Sequence, residues 1–177
     1  IMAALYRALS PFVFFFLLST VPAVAQDFHS MPVDQLRAEA PNAHPSAYYV
    51  LASRLYDRGD KDEAVFWFYA GQLRYRTHLA CNPDLPPDGD PALFSALSEV
   101  IGSEINYYAF GDLDRLLDTI DAVIEWDQST PNGYAPDADC SAVRTDVLAG
   151  LNQLQAHIAE NADDIRAQHL SSGRDGL

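Results

Sequence analysis

The chain has 177 residues, 49% of them hydrophobic, which suits one domain with a full apolar core. It carries 25 Asp/Glu against 11 Lys/Arg, a formal net charge of −14. A field of that sign disfavours nucleic acid and anionic lipid surfaces as partners and favours basic proteins or cations. The charge is uneven: residues 26–76 hold six basic and seven acidic side chains, whereas residues 77–177 hold four and eighteen. The plain alternative is that the acidic residues only keep a helical protein in solution.

Residues 1–25 read as a secretory signal peptide. Arg7 is the early positive charge, the run Phe12-Val13-Phe14-Phe15-Phe16-Leu17-Leu18 is the apolar segment, and Pro22-Ala23-Val24-Ala25 is a small-x-small cleavage site. The run is shorter than the roughly 20 residues of a membrane span, so no stable anchor is expected after cleavage. Gln26 follows the site, so there is no lipid-accepting cysteine. The expected location is periplasmic or extracellular.

From there the chain reads as helices, divided into a helical domain over 26–170 and a polar tail over 171–177. A short helix is expected from Pro32 to Ala40, stopped by Pro41, and a second from Pro45 to Gly59. Asp60 and Glu63 form a capping-box pattern that opens a third helix reaching about Leu79. Residues 81–90 contain three prolines and a glycine and read as loop.

Asp90-Pro91 then signals a cap and first turn. Leu93, Ala96, Leu97, Val100, Ile101, Ile105 and Tyr108 line one face of a helix that continues to Gly111. In the next helix, Leu113, Leu116, Leu117, Ile120, Val123 and Ile124 oppose Asp114, Asp118, Asp121 and Glu125. After a loop marked by Thr130-Pro131-Asn132-Gly133, one long helix is expected from Ser141 to His169, with Val147, Leu151, Leu154, Ile158 and Ile165 on its stripe. The predicted class is all-α, a single domain of five or six helices.

In residues 47–76, Tyr48, Leu51, Ala52 and Leu55 precede the turn Asp57-Arg58-Gly59-Asp60, and Ala64, Phe68 and Gly71 follow it. This stretch resembles one tetratricopeptide or Sel1-like helical hairpin, with Arg76 where such repeats often carry proline and no second copy elsewhere. The resemblance implies protein or peptide binding rather than catalysis. Small residues in such a hairpin let its two helices approach closely.

Phe66, Trp67, Phe68 and Tyr69 are consecutive, and at roughly 100° per residue they fan around most of a helix. Either that helix is enclosed on several sides, or an aromatic patch meets a partner. Arg74 and Arg76 are roughly 200° apart and cannot form one anion clamp. Each is expected to pair with a carboxylate of the acidic half. Phe66, Trp67, Tyr69, Arg74 and Arg76 are the candidate partner-binding residues.

Cys81 and Cys140 are the only cysteines and are predicted to form a disulfide in an oxidising compartment. No phosphate loop, zinc-protease motif, nucleophile elbow or haem-attachment pair occurs. His29, His44, His78, His157 and His169 are scattered without ligand spacing and read as surface or cap residues, so no metal and no cofactor is expected. Asp84, Asp88 and Asp90 around Gly89 lack the spacing of a calcium loop. Glu99 and Glu104 lie about 140° apart on a helix and do not share a face. Glu104 falls on an apolar stripe, with Arg74 or Arg76 as its expected partner.

The expected function is that of an exported, non-catalytic acidic helical protein that binds another protein. It would serve as an adaptor, or as an inhibitor or immunity-type factor against a basic target. The alternative is a small secreted enzyme acting on cell-envelope material, which would need a pocket with convergent ionisable groups around Glu104 or Arg74. Self-association through the aromatic residues is a third reading.

Overall fold

The computed structural model describes residues 27–134 and 140–172. Residues 1–26, which include the segment expected to be a signal peptide, residues 135–139 and residues 173–177 lie outside the described residues. Among those described there is no strand, and no helix is long and apolar enough to cross a membrane.

Eight α-helices occur in this range: α1 (Val33–Glu39), α2 (Ser46–Asp57), α3 (Lys61–Cys81), α4 (Asp90–Val100), α5 (Gly102–Phe110), α6 (Leu113–Ser129), α7 (Ser141–Glu160) and α8 (Ala162–Ser171). A 3-10 turn over Ala40–Asn42 follows α1 and contains Pro41. The five or six helices expected become eight because two predicted helices are each divided.

The first division is at Ile101–Gly102. A Cβ on Gly102 would lie 2.7 Å from the Phe68 ring, so the glycine lets the start of α5 sit directly on α3. The second is at Asn161, whose side-chain amide donates to the His157 carbonyl at 2.8 Å and closes the end of α7.

The core is built around α3, which has α2, α4, α5, α6 and α7 against it. Trp67, Phe68 and Tyr69 are buried and Phe66 is half-buried, so enclosure on several sides is the arrangement adopted. The turn from α2 to α3 is a Schellman motif. Gly59 sits at φ +90°, its N–H donates to the Tyr56 carbonyl at 3.0 Å, and the Asp60 N–H donates to the Leu55 carbonyl at 2.9 Å.

The expected capping box does not form. The Asp60 side chain makes no cap hydrogen bond, and Glu63 instead accepts from Arg37 Nε at 2.7 Å and from Trp67 Nε1 at 3.0 Å. This exchange ties α1 to the start of α3. Helix α6 follows its sequence pattern, with Leu113, Leu116, Ile120 and Val123 buried and Asp114, Asp118, Asp121 and Glu125 exposed. Cys81 and Cys140 are bonded, with their Cα atoms 5.7 Å apart, and join the end of α3 to the start of α7.

Candidate functional site

Helix α7 has an apolar stripe that the other described residues do not fill. Of its residues only Ile158 is buried, while Val147, Leu151 and Leu154 are half-buried. They form one wall of an open groove of ≈ 970 Å³. Facing them are Phe68, Tyr69 and Leu73 of α3, Phe94 of α4 and Phe110 of α5. That size and lining fall within the usual range of ligand clefts.

Polar groups hold the groove's helices together. Tyr69 donates its hydroxyl to Asn106 Oδ1 of α5 at 3.1 Å, and burial pushes that hydroxyl's pKa far above its ordinary value. Gln72 donates to Ser98 Oγ of α4 at 2.9 Å. Among the described residues Arg76 is the one charged side chain lining the groove; its guanidinium lies 5.3 Å from the Phe94 ring centre and donates to Gln72 Oε1 at 3.3 Å.

Gly150 also lines the groove, and a Cβ there would meet nothing within 4 Å. A glycine inside a helix costs about 1 kcal/mol relative to alanine. Here no packing within the chain requires it. What it keeps is open space at the groove wall.

The five candidate partner-binding residues therefore separate. Tyr69 and Arg76 line the groove. Phe66 and Trp67 sit instead beside Trp126, at ring-centre distances of 6.0 and 5.6 Å, with Trp67 buried. Arg74 is withdrawn from any partner: its Nε is 2.7 Å from Asp127 Oδ1, and each side chain is only 2% exposed. Arg74 also donates to the Thr130 carbonyl at 2.7 Å and lies over the Trp126 ring. The expected pairing of Arg74 with the acidic half is observed. Arg76 departs from that expectation, since among the described residues it has no carboxylate partner.

Glu104 lies exposed on α5, because the buried face of that helix runs through Gly102, Ile105 and Ala109, and Arg74 is engaged by Asp127 instead. Among the described residues no carboxylate lines the groove.

A second constellation was not anticipated. His44, from the connector before α2, and His78, in the last turn of α3, both reach Asp90, the first residue of α4. His78 Nε2 is 2.7 Å from Asp90 Oδ2 and His44 Nε2 is 3.3 Å from it. The reading of both histidines as unpartnered surface or cap residues is thus corrected. Asp90 likewise makes no cap hydrogen bond for α4, because its carboxylate is engaged by the imidazoles. Burial raises the Asp90 pKa, but the hydrogen bonds from His78 and His44 outweigh it and hold the carboxyl below its ordinary value.

The Tyr134 ring stands edge-on to both imidazoles, at 5.1 and 5.2 Å between ring centres. The separations in sequence, 34 and 12 residues, follow no ligand motif. Only the α2–α3 and α3–α4 connections bring the three side chains together.

An uncharacterized protein of Haemophilus influenzae is 37% identical to this chain over 87 residues. The aligned stretch is 49% of this chain and 34% of that relative, so the chain spans well under two thirds of the relative's length. No protein-family model and no solved structure matches the chain.

Proposed function

We propose that this chain is an exported, non-catalytic binding protein whose groove takes the apolar face of a segment of a protein partner, with basic residues flanking that face. The observation that carries the reading is the groove itself: an apolar cleft of ≈ 970 Å³ with a single charged lining residue. Such a cleft recognises side chains by burial, in the manner of helix-in-groove binding. Catalysis by paired ionisable groups finds no support in that lining.

Charge complementarity argues for the basic flanks. Helix α3 forms the floor of the groove, and the helices α4, α5 and α7 that frame it belong to residues 77–177, with their four basic and eighteen acidic side chains. A basic partner is steered toward that half, and an acidic one is repelled. The hairpin resemblance of residues 47–76 points the same way, since it implies peptide or protein binding. The apolar leader and the Cys81–Cys140 bond are consistent with an oxidising location.

The test uses two synthetic amphipathic helices of equal length, one of Leu and Lys and one of Leu and Glu. The Leu/Lys peptide is expected to bind, more weakly as salt rises, and the Leu/Glu peptide is not. Gly150→Trp fills the groove from a position with no internal neighbour, so it is expected to abolish binding while the chain stays folded. Equal binding of both peptides, binding of neither, or Leu/Lys binding untouched by Gly150→Trp would overturn the proposal.

A further inference from the structure

We propose that His44, His78 and Asp90 form a binding site for one divalent transition-metal ion of the zinc class, held by the two Nε2 atoms and a carboxylate oxygen. The three ligand atoms lie within 4.8 Å of one another, and among the described residues no other such group of His, Cys, Asp and Glu converges. With zinc bonds of about 2.0–2.1 Å, tetrahedral geometry sets ligand atoms about 3.4 Å apart. The His44–Asp90 separation of 3.3 Å already matches that spacing. The His78–Asp90 contact of 2.7 Å must open, which a small side-chain rotation supplies.

The surroundings suit an ion as well. His44 Nδ1 accepts from the Ser46 backbone N–H at 3.2 Å and lies 2.8 Å from Ser46 Oγ, so the ring is held in place; an ion at Nε2 requires the ring proton to move to Nδ1, where Ser46 Oγ can accept it. The Tyr75 hydroxyl is buried without a hydrogen-bond partner. Tyr134, itself exposed, stands at the edge of the cluster against both imidazoles.

Ligand chemistry selects the class of ion. Two imidazoles and one carboxylate suit Zn²⁺, Ni²⁺ or Cu²⁺, whereas Ca²⁺ and Mg²⁺ want oxygen. Three protein ligands leave a coordination position for water.

The placement also gives the ion something to do. None of α4's residues is buried, so this helix is weakly anchored by its own packing. An ion at Asp90 ties the first turn of α4 to the last turn of α3 and to the entry of α2. The competing arrangement is a carboxylate that simply accepts two imidazole N–H groups, and the experiment separates the two.

The purified full chain, stripped with EDTA, is titrated with Zn²⁺ alone by calorimetry and with Co²⁺ by visible absorption. The expected result is one ion per chain, a Co²⁺ spectrum of low coordination number, and a raised melting temperature with Zn²⁺. His44→Gln and Asp90→Asn should each weaken binding by more than the roughly 10–100-fold that loss of an outer-shell partner costs. His157→Gln, on the exposed face of α7, should change nothing, and circular dichroism shows that each variant retains its helix content. A folded chain that takes up no Zn²⁺ overturns the site and leaves a hydrogen-bonded cluster. So does binding that survives both His44→Gln and Asp90→Asn, or that millimolar Mg²⁺ displaces.

Discussion

Arg74 and Asp127 meet at 2.7 Å across α3 and α6, with both side chains 98% removed from solvent. Burial lowers the Arg74 pKa and the Asp127 carboxylate opposes that shift. Asp127 also accepts from Arg144 Nη2 at 2.9 Å, so a second cation shares it. Removing one partner of a buried pair strands the other charge and costs about 3–5 kcal/mol, while replacing both with apolar residues is often neutral. Asp127→Ala should therefore lower the urea midpoint sharply, and Arg74→Met with Asp127→Leu should restore most of the loss. A double variant as unstable as the single one would show that the pair is needed for more than its own charge balance.

Two helix-interior glycines should respond in opposite directions to the same change. A Cβ on Gly71 would lie 2.7 Å from the Tyr48 Cβ, between the backbones of α3 and α2, where nothing flexible can give way. Gly71→Ala should destabilise by about 1–3 kcal/mol through overpacking. Gly150→Ala meets open space and should stabilise by about 0.5–1 kcal/mol through helix propensity. Denaturation curves of the two variants decide this directly. Loss of stability in Gly150→Ala would mean that position 150 is packed after all.

Much of this fold was legible in the sequence because helical periodicity records which face is buried. The α6 stripe from Leu113 to Val123 and the disulfide between Cys81 and Cys140 are cases where pattern and structure agree. Periodicity cannot show a change of axis that leaves the apolar spacing intact. That is why the divisions at Gly102 and Asn161 escaped it. Part of the groove was visible as an α7 stripe of Val147, Leu151 and Leu154, but a stripe alone reads as core. Only the packing reveals that its partner is missing. The His44–His78–Asp90 cluster left no local trace, since its members come from three elements joined only in the fold.

The Asp90 carboxyl gives an acid-range test. Its folded-state pKa lies below the ordinary 3.8, so its contribution to stability is fully present above that value and is lost as pH falls through the lower folded value. Urea midpoints of the EDTA-treated chain should fall as pH drops below about 4, and Asp90→Asn should remove that part of the fall. Identical acid limbs in the two proteins would mean that the imidazole contacts do not favour the charged carboxylate.

The disulfide should act unevenly on the molecule. Its two cysteines are 59 residues apart, and in the chain-entropy account closing a loop of that length stabilises by about 4 kcal/mol. The native contacts that remain without it differ from helix to helix. Helix α3 keeps a long buried face, whereas α7 has only Ile158 buried and begins at the cross-linked Cys140. With Cys81→Ser and Cys140→Ser together, α7 is therefore the element expected to open first. Amide hydrogen exchange should speed up most between Ser141 and about Leu154, with α2 and α3 the last to follow. Because α7 is one wall of the groove, the same variant should lose affinity for the Leu/Lys peptide under conditions where α2 and α3 remain protected. Equal acceleration in every helix would instead place the cross-link's effect on the unfolded chain alone.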